Sequence, residues 1–559
     1  MKLIIREYLE MLKESKGLDA LIPDLLLAMD IQPLSKAQIG VRQYGVDIKA
    51  VGKDEDGIKK VFLIIVKQGN IGRSDWDNNE QSIRPTLNEI KDIYLVSHIE
   101  KEYEDLTKKI ILCTNGNLKQ EVELNWKGYK ERSSIPNKLE YDFWNGDKLS
   151  ILIEKYFFDE FLFPNEIRVN IRKSIALLGE EDYNPKYFYN LLDRILFNSD
   201  FSEEKTHSIQ KKRNKAFRLI NLCLHVLFYW AKDSDNLKPA LFVSERTILL
   251  CWEHLRKFNL TQDEKYLDYY FKIYKTFLKI ANEYFLKIQA NCHTLDGLSG
   301  YGTHFIEESL LIFEQIGILS IIGIVSLQIS IHEQDESLKS YINTIVSSLI
   351  ALIKNNQASN SPCYDSHSID ICLAIYLLSL AGHKQFIENW IKDIISHIAS
   401  SYHYVGKYFP VSTDSFDDLV SLNISNKINK EKLMGLSTLL PILAQWCVCL
   451  DLKEAYNYIK RTIKDAFLFV NLQLWYPDEE TDNYLYKTNA AYQSGSTEVR
   501  IELPDSLEEL KNKFQKVQVN TIEPNKISSL RSGIPALDLI ASRHFRTPVM
   551  PFYWQRLPE

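Results

Sequence analysis

The sequence predicts an α/β N-terminal domain, residues 1–165, followed by a larger all-α C-terminal domain. Three observations carry this prediction. Up to Phe163-Pro164-Asn165, stretches with helical apolar spacing alternate with short runs of strand formers. From Ile167 onward nearly every segment has helical periodicity. The chain's 559 residues also exceed the ~250–300 at which a single hydrophobic core stops growing, so more than one domain is required.

The elements follow in order. Leu18–Met29 (LDALIPDLLLAM) spaces its apolar residues as a helix does, and Val41–Val51 is rich in strand formers and partly alternating. The turn run Gly52-Lys53-Asp54-Glu55-Asp56-Gly57 leads into Val61–Lys67, which is apolar on both pleat faces as a central strand must be. These two strands are expected to pair as a hairpin. Thr86–His98 reads as a helix, Lys109–Thr114 as a buried strand ending at Asn115-Gly116, Tyr141–Trp144 as a last strand and Lys148–Tyr156 as the closing helix. The sum is a compact α/β sandwich. In the second part Arg213–Lys232, Glu264–Leu286, Ser337–Lys354, Ser368–Ala381 and Lys384–Ser400 read as helices without a fixed-period repeat, an irregular array over residues 166–500. Past Asp482 the pattern weakens, and 501–559, aromatic and proline-containing at its end, reads as a tail docked on the helical domain.

Composition narrows the function. Lys and Arg number 67 against 74 Asp and Glu, a net charge of −7, so no global basic field exists and any nucleic-acid contact must come from a local patch. That excludes a protein that coats DNA nonspecifically. The eight cysteines are scattered singly through apolar sequence apart from Cys447 and Cys449, the pattern of reduced cytosolic thiols. Cys292-His293, Cys251 with His254 and Cys363 with His367 read as core packing, and no structural zinc is expected. Met1–Glu7 lacks a signal-peptide apolar region, which points to the cytoplasm. Ile316–Ile331 is almost wholly apolar, but Glu314, Gln315 and His332 close it short of the ~20 residues a spanning helix needs, so it reads as a buried helix and no membrane is expected.

One constellation points to chemistry. Metal-dependent phosphodiester cleavage needs acidic oxygens to hold a divalent cation beside the phosphate, and a cationic side chain to steady hydroxide and developing charge. Asp47 lies in the first strand of the expected hairpin, within Gly45-Val46-Asp47, with the small Gly45 leaving room beside it. Lys67 lies twenty residues on in the partner strand, so the hairpin brings the two together. Asp54, Glu55 and Asp56 read as its solvated tip. The segment Gly69–Trp76 follows the lysine; Arg73, Trp76 and Arg84 are candidates for nucleic-acid contact, with an ordinary surface loop as the alternative. No P-loop motif occurs, and Gly297–Gly302 lacks the strand that a dinucleotide loop requires.

Residues 15–160 resemble the PD-(D/E)xK superfamily, nearest its Mrr-like restriction-endonuclease branch. The resemblance rests on Leu18-Asp19 opening the apolar helix, on Gly45-Val46-Asp47, on the strand ending Val66-Lys67, and on Asn145-Gly146-Asp147 opening the last helix. It implies a restriction-endonuclease-like fold for the N-terminal domain, Asp47 as principal metal ligand, Lys67 as catalytic lysine and Asp19, or alternatively Glu10, as the helix-borne acid. It further implies Mg²⁺ or Mn²⁺ as cofactor, nucleic acid, foremost DNA, as substrate, and a bacterial restriction or anti-phage defence setting. By analogy the helical domain becomes a sensor or interaction module, through which a protein partner or a second copy binds. One position departs from the family: Ile65 stands where an acid or Gln two residues before the lysine is usual, and Gln68 is expected on the opposite strand face. The site is then a variant with Asp19, Asp47 and a backbone carbonyl as ligands, or an inactive fold kept as a nucleic-acid or protein binding platform. A third reading makes the helical domain a scaffold.

Overall fold

The computed structural model describes residues 2–34, 44–157, 165–180, 183–197, 201, 206–299, 304–333, 337–405, 409–424, 429–488, 494–517 and 522–555. They belong to two compact units, Met1–Ala240 and Leu241–Glu559.

In the first unit, six consecutive apolar residues, Val61–Val66, form the middle of β3 (Lys59–Lys67), and all six are buried. Such a strand has no solvent face and needs partners on both edges and cover on both sides. On one edge it pairs antiparallel with β2 (Ile48–Lys53), which pairs antiparallel with β1 (Ile31–Pro33); on the other it pairs parallel with β4 (Thr107–Thr114), which pairs parallel with β5 (Leu139–Trp144). The hairpin expected from the sequence is present, with Ile48 opposite Ile64 and Val51 opposite Val61.

One sheet face carries Val61, Leu63, Ile65, Ile110 and Leu112. They pack with residues of α3 (Arg73–Trp76), α4 (Ile83–Glu89), the π turn Ile90–Tyr94 that runs into α5 (Leu95–Ser97), and α6 (Gln120–Ser133). The sequence order given above omits α6. It is a polar helix that buries only Val122, Trp126 and Tyr129, one turn apart, and it supplies the crossover that two parallel strands require. Phe62, Ile64 and Val66, turned to the other face by the strand's alternation, are buried too. Helices α1 (Lys2–Met11) and α2 (Asp19–Ala28) both pack on α7 (Gly146–Phe157), α7 reaching β5 and the turn before α2 reaching β3.

Helices α8 (Asn165–Ala176), α9 (Lys186–Leu196) and α10 (His207–Asp233) fall within this unit, so its edge lies beyond the boundary expected at residue 165. Helix α10 packs against α1 and α7, with Tyr229 edge-on to Tyr8 at 5.6 Å. Apolar spacing marks α10 as a helix but carries no sign of which core it joins.

Asn115 ties this unit's layers together. Its Nδ2 donates to the carbonyls of Leu9 (2.7 Å) and Leu12 (2.9 Å), capping α1, while its Oδ1 accepts from Gly69 N (2.7 Å), the loop after β3. The next residue must be glycine: a Cβ at Gly116 would lie 2.2 Å from the Gly69 carbonyl carbon.

The second unit is mostly helical. Helix α11 (Leu237–Lys257) straddles the division, and α12 (Glu264–Cys292), α13 (Phe305–Glu333), α14 (Ser337–Asn355), α15 (Ser368–Leu380) and α16 (Lys384–Ser400) follow. Next come α17 (Phe416–Ile424), α18 (Lys430–Leu433), α19 (Leu439–Cys449), α20 (Lys453–Ala466), α21 (Leu507–Val517), α22 (Ser528–Arg531), α23 (Ala536–Phe545) and α24 (Phe552–Gln555). The all-α expectation needs correction, because β6 (Leu436–Ser437), β7 (Asn471–Tyr476) and β8 (Ser496–Val499) form a small sheet. Six residues of β7 are too few to stand out against long helical runs. Helix α13 has one stretch, Phe305–Ile331, long and apolar enough to cross a membrane, and 78% of its apolar window is buried inside the unit, as befits a core helix.

The C-terminal segment is more than a docked tail. In α23, Arg543 pairs with fully buried Glu245, and His544 Nδ1 stands 3.2 Å from the same carboxylate. Burial alone would lift the Glu245 carboxyl, yet Arg543 and His544 hold it below its usual range. Trp554 Nε1 donates to Gln445 Oε1 at 2.7 Å.

Two consequences are measurable by urea unfolding of the full chain. Asn115→Ala removes two buried hydrogen bonds and one part-buried one and should cost about 2–4 kcal/mol in the first unit's transition. Arg543→Met leaves buried Glu245 with His544 alone as its cationic partner and should cost about 3 kcal/mol in the second.

Candidate active site

The chain enters β2 through Tyr44 and Gly45, both left-handed, with φ of 48° and 82°. A Cβ at Gly45 would lie 2.5 Å from Thr86 Cγ2 on α4. The glycine is therefore demanded by its backbone and by α4, not by a need for room beside the acid.

Asp47 stands one residue before β2 rather than inside it. Its N–H continues the ladder to Ile64 O (3.0 Å), and its Oδ2 accepts from Val66 N (2.7 Å), standing in for a backbone carbonyl where the chain leaves the sheet. Burial lifts the Asp47 carboxyl above the usual aspartate value; the Val66 N–H and the Lys67 ammonium oppose this, while the carboxylates of Glu14 and Asp19 add to it. The hairpin thus does bring Asp47 within electrostatic reach of Lys67, the half-buried last residue of β3.

Asp19 opens α2, and its Oδ1 is buried without a hydrogen-bond partner among the described residues. Glu14 was not among the residues singled out from sequence. It opens the π turn Glu14–Leu18, a five-residue spacing that sets it on the same side as Asp19. Its N–H donates to Gln68 Oε1 at 3.4 Å, so Gln68 reaches the π turn. The one sequence signal for Glu14 is its place in the polar run Lys13–Gly17 between two apolar helices. Glu10, the alternative helix-borne acid, is instead exposed and paired with Arg6 at 3.1 Å. Ile65 is 1% exposed inside the hydrophobic cluster and offers no ligand.

The residues read as nucleic-acid contacts fare differently. Trp76 is 4% exposed, edge-on to Trp126 (6.4 Å) and Tyr129 (6.1 Å) in the core, and presents no face to a base. Its position between polar residues hid this, because the short helix α3 buries only that one side chain. Arg84 is exposed and paired with Asp77 at 2.6 Å, and Arg73 is exposed at the start of α3. The hairpin tip is not simply solvated: Asp54 is half-buried and bridges Lys60 (2.9 Å) and Lys109 (3.0 Å).

Among the described residues no group of three His, Cys, Asp or Glu stands close enough to enclose a metal ion. The donors at Asp47 and Asp19 are hard carboxylate oxygens, one of them buried and unpartnered, and Mg²⁺ is commonly held by one or two carboxylates together with water and phosphate rather than by a protein cage. The donor set fits such an ion in kind. The described cysteines are all free thiols, buried except for half-buried Cys449. Comparison with family models, curated proteins and solved structures finds no match for this chain.

The raised Asp47 carboxyl gives a signed prediction. Folding favours its protonated form, so the stability it withholds is absent below the ordinary aspartate value and grows as pH rises through the raised one. Asp47→Asn keeps an acceptor for Val66 N–H and should raise Tm near pH 8, with the gain shrinking towards pH 4; scanning calorimetry across that interval reads it.

Proposed function

We propose that the first unit is a restriction-endonuclease-like nuclease that cleaves nucleic acid, foremost DNA, with Mg²⁺ or Mn²⁺. The observation that carries this reading is the convergence, at one end of the β2–β3 hairpin, of carboxylates from separate elements, Asp47 and Asp19, with Lys67 beside them. An antiparallel β1–β2–β3 meander running into parallel β4 and β5, with α2 ahead of it, agrees with the resemblance stated above.

In this reading Asp47 and Asp19 would hold the divalent cation, with water and the substrate phosphate completing its shell where Ile65 supplies no ligand. When bound, the cation supplies Lewis-acid stabilisation of the phosphate and an acidified water. Lys67 places a positive charge where hydroxide and the pentavalent phosphate build up negative charge. Asp47 is locked by the Val66 N–H, so its free oxygen keeps a fixed bearing on the site. The exposed Arg73, first residue of α3, is the side chain of the three sequence candidates best placed to meet a phosphate backbone. Cleavage serves a bacterial restriction or anti-phage role under control of the helical unit. A second reading, an inactive binding platform, is favoured by one observation, the burial of Ile65 where a ligand is usual.

The test incubates full-length protein with plasmid duplex, single-stranded DNA and RNA, in Mg²⁺ or Mn²⁺, with an EDTA control. Cleavage should appear and fall at least about a hundredfold in Asp47→Ala and in Lys67→Ala. A folded protein that binds one of these nucleic acids, cleaves none, and binds as tightly with Asp47→Ala is instead the platform.

A further inference from the structure

Helix α23 is fastened at both ends, and the two fastenings differ in kind. At its C-terminal end cations meet carboxylates, with Arg543 and His544 on Glu245 and Arg546 on Asp370 at 2.8 Å. At its N-terminal end Asp538 has no exposed surface, and its hydrogen-bond partners among the described residues are hydroxyls. Its Oδ1 accepts from Ser529 Oγ and from Tyr486 Oη (3.0 Å), and its Oδ2 accepts from Tyr553 Oη (3.2 Å). These donors lie on α22, just after the Thr481–Asn483 turn, and on α24, so one carboxyl gathers three segments around α23.

A second carboxylate joins the knot. Ser528 Oγ donates to Asp482 Oδ1 at 2.9 Å and lies 3.4 Å from Tyr486 Oη, while Trp252 Nε1 of α11 donates to Ser528 Oγ at 3.0 Å. Arg256, also of α11, acts on Asp482 and Tyr486 and is itself held by Glu253 and Asn483. Helix α15 contributes the phenol of Tyr376, 5.7 Å ring to ring from Tyr553, and α13 the neutral amide of Gln328, which accepts from Ala536 N at 3.0 Å. Among the described residues none of these elements hydrogen-bonds a cation to Asp538. Burial therefore dominates and lifts this carboxyl to about 7; the hydroxyls of Ser529, Tyr486 and Tyr553 oppose the rise, and Asp482 adds to it.

We propose that this knot is a proton-operated latch: with Asp538 neutral, α22 and the start of α23 stay docked on the second unit, and with Asp538 ionised they part from it. The Ser532–Ile534 turn between them lines a cleft of about 790 Å³ that α12, α13 and α14 also line, so releasing the latch opens that cleft. Because folding raises this carboxyl, the stability it contributes is fully present below the ordinary aspartate value and is lost as pH rises through about 7. The carboxyl of Glu245 is lowered instead, so the other fastening holds through the same interval. The latch lies wholly within the second unit and is independent of any chemistry at Asp47.

Hydrogen–deuterium exchange of the full-length protein, read by mass spectrometry from pH 5 to pH 8 and corrected for the intrinsic pH dependence of exchange, tests the latch. Peptides over Ser528–Ile540 should lose protection by at least about tenfold across that interval, while those of α12 keep theirs. Asp538→Asn should make protection over Ser528–Ile540 independent of pH. Tyr553→Phe, which removes one donor to the anion, should move the midpoint to higher pH. The proposal falls if protection over Ser528–Ile540 is flat with pH in the unaltered protein, if α12 loses protection in parallel, or if Asp538→Asn keeps the pH dependence.

Discussion

The first unit depends on the burial of β3 along nearly its whole length. A strand with six successive buried apolar residues tolerates polar groups only where it ends. Its N-terminal end is held by Lys60 among Asp54, Asp56 and Glu140, and its C-terminal end opens at Lys67 and Gln68. Polar groups from other elements gather at both of these ends. The first is closed by ion pairs. The second holds the Asp47 carboxyl, lifted first by its burial, with Lys67 opposing the rise and Glu14 and Asp19 adding to it.

That imbalance is the physical content of the candidate site. Asp47 is kept by a backbone N–H from turning away, and burial makes its charge costly. Glu245 in the second unit is a useful contrast, since it is buried more deeply yet held below the usual carboxylate range by Arg543 and His544. A carboxylate with its partners at hand stabilises a fold; one raised by burial and by like charges stores a preference for a cation or a proton. Asp538 shows how far burial can reach even among donors. Hydroxyls of Tyr486 (3.0 Å) and Tyr553 (3.2 Å) surround it, and burial still lifts it to about 7.

Local pattern made much of this legible. The hairpin followed from Val61–Val66 and the turn run after Gly52, because a two-faced apolar strand and a polar turn leave little other arrangement. Asp47 and Lys67 were legible for the same reason, since hairpin register alone brings them near. Trp76 was misread because an aromatic residue among polar neighbours is ambiguous until Trp126 and Tyr129, about fifty residues on, are placed against it. Glu14 was missed because its role depends on a π turn, a one-residue excess that helical periodicity does not encode. Helix α6 was missed because three buried side chains in fourteen residues give a faint apolar stripe.

The sequence by itself determined the elements whose burial is written into their own residues: β3 and its hairpin partner, the apolar helix after Leu18, the core helix α13, and the change to helical periodicity after Asn165. These needed only short-range spacing of apolar side chains. Tertiary structure alone decided which core α8 to α10 join, that Asn115 ties α1 to the loop after β3, and that Glu14 and Asp19 come within electrostatic reach of Asp47. Each of those depends on groups far apart in the chain, and the free energy of such contacts is set by packing that no local window contains.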